Sequence, residues 1–102
     1  MIHYNTTFHV EKDLYEEFIE YLRSDFISSC LKSGLLASPR LLQVMGDENY
    51  DGYSIALEFK AKDMETLNNW IELEKDAIFS PLLDKFTNRF IGFSTILRSI
   101  EI

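Results

Sequence analysis

Residues 52–66 read GYSIALEFKAKDMET, and their alternation decides the fold. Tyr53, Ile55, Leu57, Phe59 and Ala61 alternate with Ser54, Ala56, Glu58 and Lys60. That period of two sends apolar side chains to one sheet face and mostly polar ones to the other, which is the pattern of a half-buried strand. Just upstream, residues 46–52 (GDENYDG) have the glycines and short polar side chains of a tight reversal, so an antiparallel strand is expected before it. Just downstream, Asp63 is placed to cap the free N–H groups of a helix starting at Met64.

The opening residues repeat the alternation. Ile2, Tyr4, Phe8 and Val10 point one way, with Thr6 among them, while His3, Asn5, Thr7 and His9 point the other. Leu14, Phe18, Leu22, Phe26 and Cys30, with Tyr21, then recur at helical spacing opposite Glu16, Glu17, Glu20 and Arg23. Asp13 reads as the N-cap, with Glu16 as its capping-box partner, and Gly34 suits the left-handed cap that ends the helix. Pro39 is unsuited to a central strand, so Arg40 to Met45 reads as an edge strand. In the second helix Leu67, Trp70, Ile71, Ala77 and Ile78 face a core. Ser80-Pro81 then reads as an N-cap and first-turn proline that begin a separate short helix through Leu82, Leu83 and Phe86. Arg89 to Ile102 is a strand that is apolar on both sides, through Phe90/Ile96/Ile100 and Ile91/Phe93/Leu97.

The 102 residues with 46% hydrophobic content predict one domain, 1–102, built on a single core. Ten basic against 17 acidic residues give a net charge of −7, which repels phosphate backbones and anionic lipid and argues against nucleic-acid or membrane partners. Cys30 is the only cysteine, so no intrachain disulfide is expected, and it reads as a small buried hydrophobe. The first strand leaves no room for a signal segment, and no apolar run approaches the roughly 20 residues of a membrane span; a cytoplasmic protein is the expectation.

Strand, helix, strand, strand, helix, strand is the order of an α+β, ferredoxin-like βαββαβ fold. It predicts a four-stranded antiparallel sheet, the first and third strands central and the helices on one face. The other face would display His3, Asn5, Thr7, His9, Glu58 and Lys60 beside an apolar row from the last strand and part of Leu41, Gln43 and Met45. So much apolar surface on an open sheet favours a homodimer closed through it.

Ile2-His3-Tyr4-Asn5-Thr6-Thr7, Tyr53-Ser54-Ile55-Ala56-Leu57, Ser80-Pro81-Leu82-Leu83-Asp84-Lys85-Phe86 with Arg89-Phe90, and Phe93-Ser94-Thr95-Ile96-Leu97 resemble a bacterial family frequent in Bacteroidetes, domain of unknown function 4286. The resemblance spans nearly the whole chain and implies the dimeric α+β barrel, in which two ferredoxin-like sheets face each other. It rests mostly on core and turn residues. The family pattern has His-Ile-Pro after the first helix and an arginine before the threonine of the last strand; here those places hold Phe26-Ile27-Ser28 and Ser94.

Two groups are candidates for chemistry. His3 and Asn5 lie near Glu58 if the first and third strands pair, and a carboxylate beside an imidazole can form a general base or orient a substrate hydroxyl. The bland alternative is mutual satisfaction of these groups at a dimer seam. Tyr4, Tyr53, Trp70 and Phe93 either line a pocket for a flat apolar ligand or fill the core. His3 and His9, six residues apart on one strand at about 3.3 Å per residue, are roughly 20 Å apart and cannot share a metal, so no metal is expected. Asp47, Glu48 and Asp51 lack the ligand spacing of a calcium loop and read as a solvated turn. No phosphate cradle or GxSxG is present, and no cofactor is implied. The leading expectation is a homodimeric binding or assembly module, with a small-molecule ligand as a candidate partner. The alternatives are a cofactor-free monooxygenase or isomerase acting on a small apolar oxygenated molecule through His3, Asn5 and Glu58, and a metabolite sensor at the dimer interface.

Overall fold

The computed structural model describes residues 1–46, 52–87 and 89–102; the acidic reversal Asp47, Glu48 and Asp51 lies outside them. Alternating segments form β1 (Ile2–Glu11), β2 (Ala37–Gln43), β3 (Gly52–Ala61) and β4 (Phe90–Arg98). They make one antiparallel sheet in the order β2-β3-β1-β4, with the two most regularly alternating strands in the middle. This is the α+β ferredoxin-like fold. Ile2, Tyr4, Thr6, Phe8 and Val10 pair with Ala61, Phe59, Leu57, Ile55 and Tyr53 on the face that the helices cover. Thr6 is accommodated there by a hydrogen bond shared with Ser94 (2.9 Å), and Ser94 Oγ also donates to the Tyr4 hydroxyl (3.2 Å).

The first helical run enters through a 3-10 turn, Lys12–Leu14, and continues as α1 (Tyr15–Tyr21), a π-helical turn Leu22–Phe26 and α2 (Ile27–Leu31). The expected capping box is absent. Glu11 holds the N-cap position, and Asp13, inside the 3-10 turn, accepts from Arg89 Nη2 at 2.6 Å instead. The run ends at Leu31 with Lys32 as its C-cap, and Gly34, expected as the cap, takes its left-handed φ of +79° two residues further on.

The π turn has a cause in the side chains. Leu14, Phe18, Leu22, Phe26 and Cys30 are all buried, and each lies four residues after the last. Four residues turn an α-helix about 400°, so a stripe of that spacing drifts about 40° per step. A turn with i→i+5 bonding winds more slowly and brings the stripe back to the sheet.

The second run does the same, as α3 (Met64–Trp70), a π-helical turn Ile71–Lys75 and α4 (Asp76–Lys85). Asp63 caps it, accepting from Thr66 N at 2.8 Å and Thr66 Oγ1 at 2.7 Å, which holds its carboxyl below the usual range. Pro81 begins no separate helix: it lies inside α4. The proline's disruption, about 3 kcal/mol in a helix interior, is outweighed here by the burial of Leu82 and Phe86 beyond it. Phe86 packs 5.0 Å from Phe18, which also meets Phe8 (5.3 Å) and Phe90 (5.1 Å), so Phe18 ties both helical runs to the sheet.

Edge strand β2 carries a register shift between Ala37 and Arg40, with Ser38 at φ +53° just before Pro39. The bulge sets which residues face outward. Arg40 lies opposite Glu58 and Leu42 opposite Ala56, while Leu41 and Gln43 lie opposite Leu57 and Ile55. The open face therefore receives Arg40 and Leu42, not the Leu41, Gln43 and Met45 expected from alternation alone.

Candidate functional site

The open face is built in rows from all four strands. From β1 come His3, Asn5, Thr7 and His9, opposite Lys60, Glu58, Ala56 and Ser54 of β3 and opposite Leu97, Thr95, Phe93 and Ile91 of β4. The middle of the face is polar and its two margins are apolar. Ile91 and Phe93 are 71% and 63% exposed, and Leu42 across the sheet is exposed as well. Phe93 is thus a surface residue and not part of a buried stripe.

His3, Asn5 and Glu58 meet as their strand register requires. Asn5 is the direct partner of Glu58, and the His3 diagonal brings Nδ1 to 3.7 Å from Glu58 Oε1. The Asn5 amide turns along its own strand and donates to Thr7 Oγ1 at 3.1 Å. Two further residues join them that alternation alone did not reveal. Arg40 Nη1 lies 3.7 Å from the same Glu58 oxygen, and Ser99 Oγ lies 2.8 Å from His3 Nε2. Ser99 is held by its own backbone N–H, which donates to the Met1 carbonyl at 3.2 Å and extends the β1–β4 pairing beyond the end of β4. One residue from β1, β2 and β3 and one just past β4 therefore form a chain: Arg40, Glu58, His3, Ser99. At the opposite end of β1, His9 Nδ1 is 3.0 Å from Ser54 Oγ.

The aromatic candidates do not converge. Tyr4 and Trp70 are buried on the helix-covered side with rings 5.5 Å apart, Phe93 stands on the open face, and Tyr53, at the start of β3, meets the Tyr15 ring at 4.6 Å with the planes tilted 54°. They line no common pocket, because β4 presents its odd-numbered residues to the face opposite the helices.

Cys30 is buried, and that burial pushes its thiol from an ordinary 9.0 up to about 12. Three pH units leave about a thousandfold less thiolate at neutral pH, so the native protein should react with a disulfide reagent far more slowly than the unfolded chain. Stopped-flow thiol titration with and without denaturant measures this, and equal rates would place Cys30 at the surface.

Residues 1–100 match the domain of unknown function DUF4286. The chain belongs to that family. No curated protein matches it in sequence. Among solved structures, it superposes on a dimeric ferredoxin-like protein from an uncultured marine organism at 14% identity, covering 99% of this chain and 97% of that one, with TM-score 0.69. An antibiotic biosynthesis monooxygenase is similar at 12% identity, 99% and 100% coverage and TM-score 0.67. SnoaB, a cofactor-independent oxygenase from Streptomyces nogalater, is similar at 11% identity, 99% and 94% coverage and TM-score 0.70. At such identities the DUF4286 chain shares their fold, and nothing about its activity follows. Among its described residues no helix is long and apolar enough to cross a membrane.

Proposed function

We propose that this protein is a homodimeric binding module that closes its open sheet face on a second copy and holds a small apolar molecule along the enclosed polar strip. The observation that carries this reading is the pair of exposed apolar margins, Ile91, Phe93 and Leu97 on one side and Leu42 and Val44 on the other, flanking the His3–Glu58 strip. An unpartnered sheet face of that composition gains by burial, and a two-fold contact uses the same patch on both copies. The similar marine protein is described as dimeric and has the same fold, which supports the choice of a second copy as the occupant. Closure would leave the polar strip between two apolar walls, the usual composition of a small-molecule site.

Native mass spectrometry against the denatured mass tests both halves of the proposal. A dimer is expected, with extra mass that is lost on denaturation if a ligand is carried through purification. Phe93→Glu puts a charge into the seam and is expected to give a monomer at concentrations where the parent protein is dimeric. A parent protein that remains monomeric at high micromolar concentration overturns the reading.

The contact between His3 and Glu58 favours a second reading, a cofactor-free enzyme of the monooxygenase or isomerase type. Two structurally similar proteins are described as a monooxygenase and a cofactor-independent oxygenase. In this reading His3 takes a proton from an activated position of an apolar oxygenated molecule, and Glu58 orients the imidazole and stabilises its charge. Loss of turnover in Glu58→Gln, with ligand binding retained, is its distinguishing result.

A further inference from the structure

We infer that Ser99, His3 and Glu58 form a nucleophile, base and orienting carboxylate for acyl transfer from a small apolar carboxylic ester. Their order in space is the one that chemistry needs. Ser99 Oγ is 2.8 Å from His3 Nε2, and the other ring nitrogen, Nδ1, faces Glu58 Oε1 at 3.7 Å. A carboxylate on the Nδ1 side favours the tautomer with its proton there, which leaves the Nε2 lone pair to accept from the serine hydroxyl. Arg40, 3.7 Å from the same carboxylate oxygen, restrains Glu58 from the other side.

The backbone fixes this relation. His3 is set by the ladders of β1 with both β3 and β4, and Ser99 by its N–H bond to the Met1 carbonyl. Lys60 of β3 lies directly across from His3, on the side of β1 away from Ser99. Leu97 of the neighbouring strand, opposite His3, provides the apolar surface for an alkyl or aryl group.

In the first step Ser99 Oγ attacks the ester carbonyl carbon while His3 Nε2 takes the hydroxyl proton. The tetrahedral intermediate then collapses, the carbon–alkoxy bond breaks, and the alcohol leaves with the proton from His3. Water attacks the acyl-serine in the same way, His3 again shuttling the proton, and the carboxylic acid departs. No oxidant or metal enters the balance. The inference rests on the paired sheet face proposed above for exclusion of bulk water, which would also draw the His3–Glu58 contact tighter.

The test uses the whole chain with an alkyl fluorophosphonate and with p-nitrophenyl acetate. Ser99 Oγ is expected to displace fluoride from phosphorus, giving a single adduct that peptide mass spectrometry places on Ser99. Ser99→Ala should abolish the adduct, and both Ser99→Ala and His3→Gln should lower ester turnover about 100-fold or more. Glu58 is a positioning residue: Glu58→Gln should lower kcat while leaving KM nearly unchanged, and Glu58→Asp should recover part of the loss. A role in folding alone would instead lower the active fraction, with kcat per folded molecule unmoved. Absence of an adduct on Ser99, or unchanged turnover in Ser99→Ala, overturns the inference. The native mass of the same sample separates the two proposals, since a dimer whose Ser99 does not react keeps the binding module and removes the acyl transfer.

Discussion

Trp70→Ala is expected to lower stability by about 3–5 kcal/mol. A domain of this size has about 5–15 kcal/mol in total, so the variant loses about a fifth of it or more. Trp70 is 1% exposed, ends α3 on the side facing the sheet, and meets the Tyr4 ring at 5.5 Å with the planes tilted 59°. Removing the indole leaves a cavity beneath the helix. Tyr4 is anchored from the other side by the Ser94 hydroxyl and cannot swing in to fill it. Trp70→Phe separates packing from polarity. The indole Nε1 is buried with no hydrogen-bond partner among the described residues, so phenylalanine removes a group that contributes no bond while keeping most of the apolar volume. About half the alanine loss or less is expected. The measurement is the urea midpoint at unchanged m value for both variants. A loss below about 1 kcal/mol for Trp70→Ala would place the residue at a pocket mouth and revive it as a ligand contact.

Period-two segments were readable because a strand's facing is fixed by parity. Alternation in β1 and β3 puts His3, Asn5 and Glu58 on one face, but the register that sets Asn5 opposite Glu58 is not fixed by alternation and is given by the strand pairing itself. The helices were harder, because their capping and continuity depend on tertiary partners. Asp13 has the residue type of a cap, yet Arg89, 76 residues away in sequence, captures it. Pro81 has the look of a start signal, yet the buried stripe runs past it to Leu82 and Phe86. The first π turn leaves a trace: Leu14, Phe18, Leu22, Phe26 and Cys30 are buried at four-residue steps, a row that drifts around a regular α-helix, and Ile19 is the one other buried residue of that run.

The site was half legible for the same reason. His3, Asn5 and Glu58 lie on strands whose parity the sequence reveals. Arg40 reaches Glu58 only because the bulge at Ser38 and Pro39 resets the facing of β2, and proline in an edge strand signals irregularity without fixing its sense. Ser99 lies one residue past β4, where only the β1–β4 register aligns it with His3. The apolar row of β4 needs cover, and Phe93 shows where that need falls: on the face the helices leave open.

Gly52→Ala is expected to cost about 3 kcal/mol, although it adds one methyl group. A Cβ on Gly52 would collide with the Val10 carbonyl oxygen and lie 2.9 Å from its carbon, both backbone atoms of the central strand β1. No rotamer change relieves such a contact. The strands must part where Val10 pairs with Tyr53 and Glu11 with Gly52, loosening the end of the sheet that carries the fully buried Val10. Two other glycines isolate the cause. A Cβ on Gly92 would meet the Phe8 ring at 3.1 Å, a side chain able to yield by a few tenths of an ångström, so Gly92→Ala should cost about 1–2 kcal/mol. Gly34 has open space but φ +79°, so Gly34→Ala should cost about 1 kcal/mol through backbone strain alone. Chemical denaturation of the three variants should therefore rank them Gly52, Gly92, Gly34. A Gly52→Ala midpoint equal to that of Gly34→Ala would mean that β1 and β3 separate there without loss, and that the close approach contributes nothing to holding the His9 end of the open face.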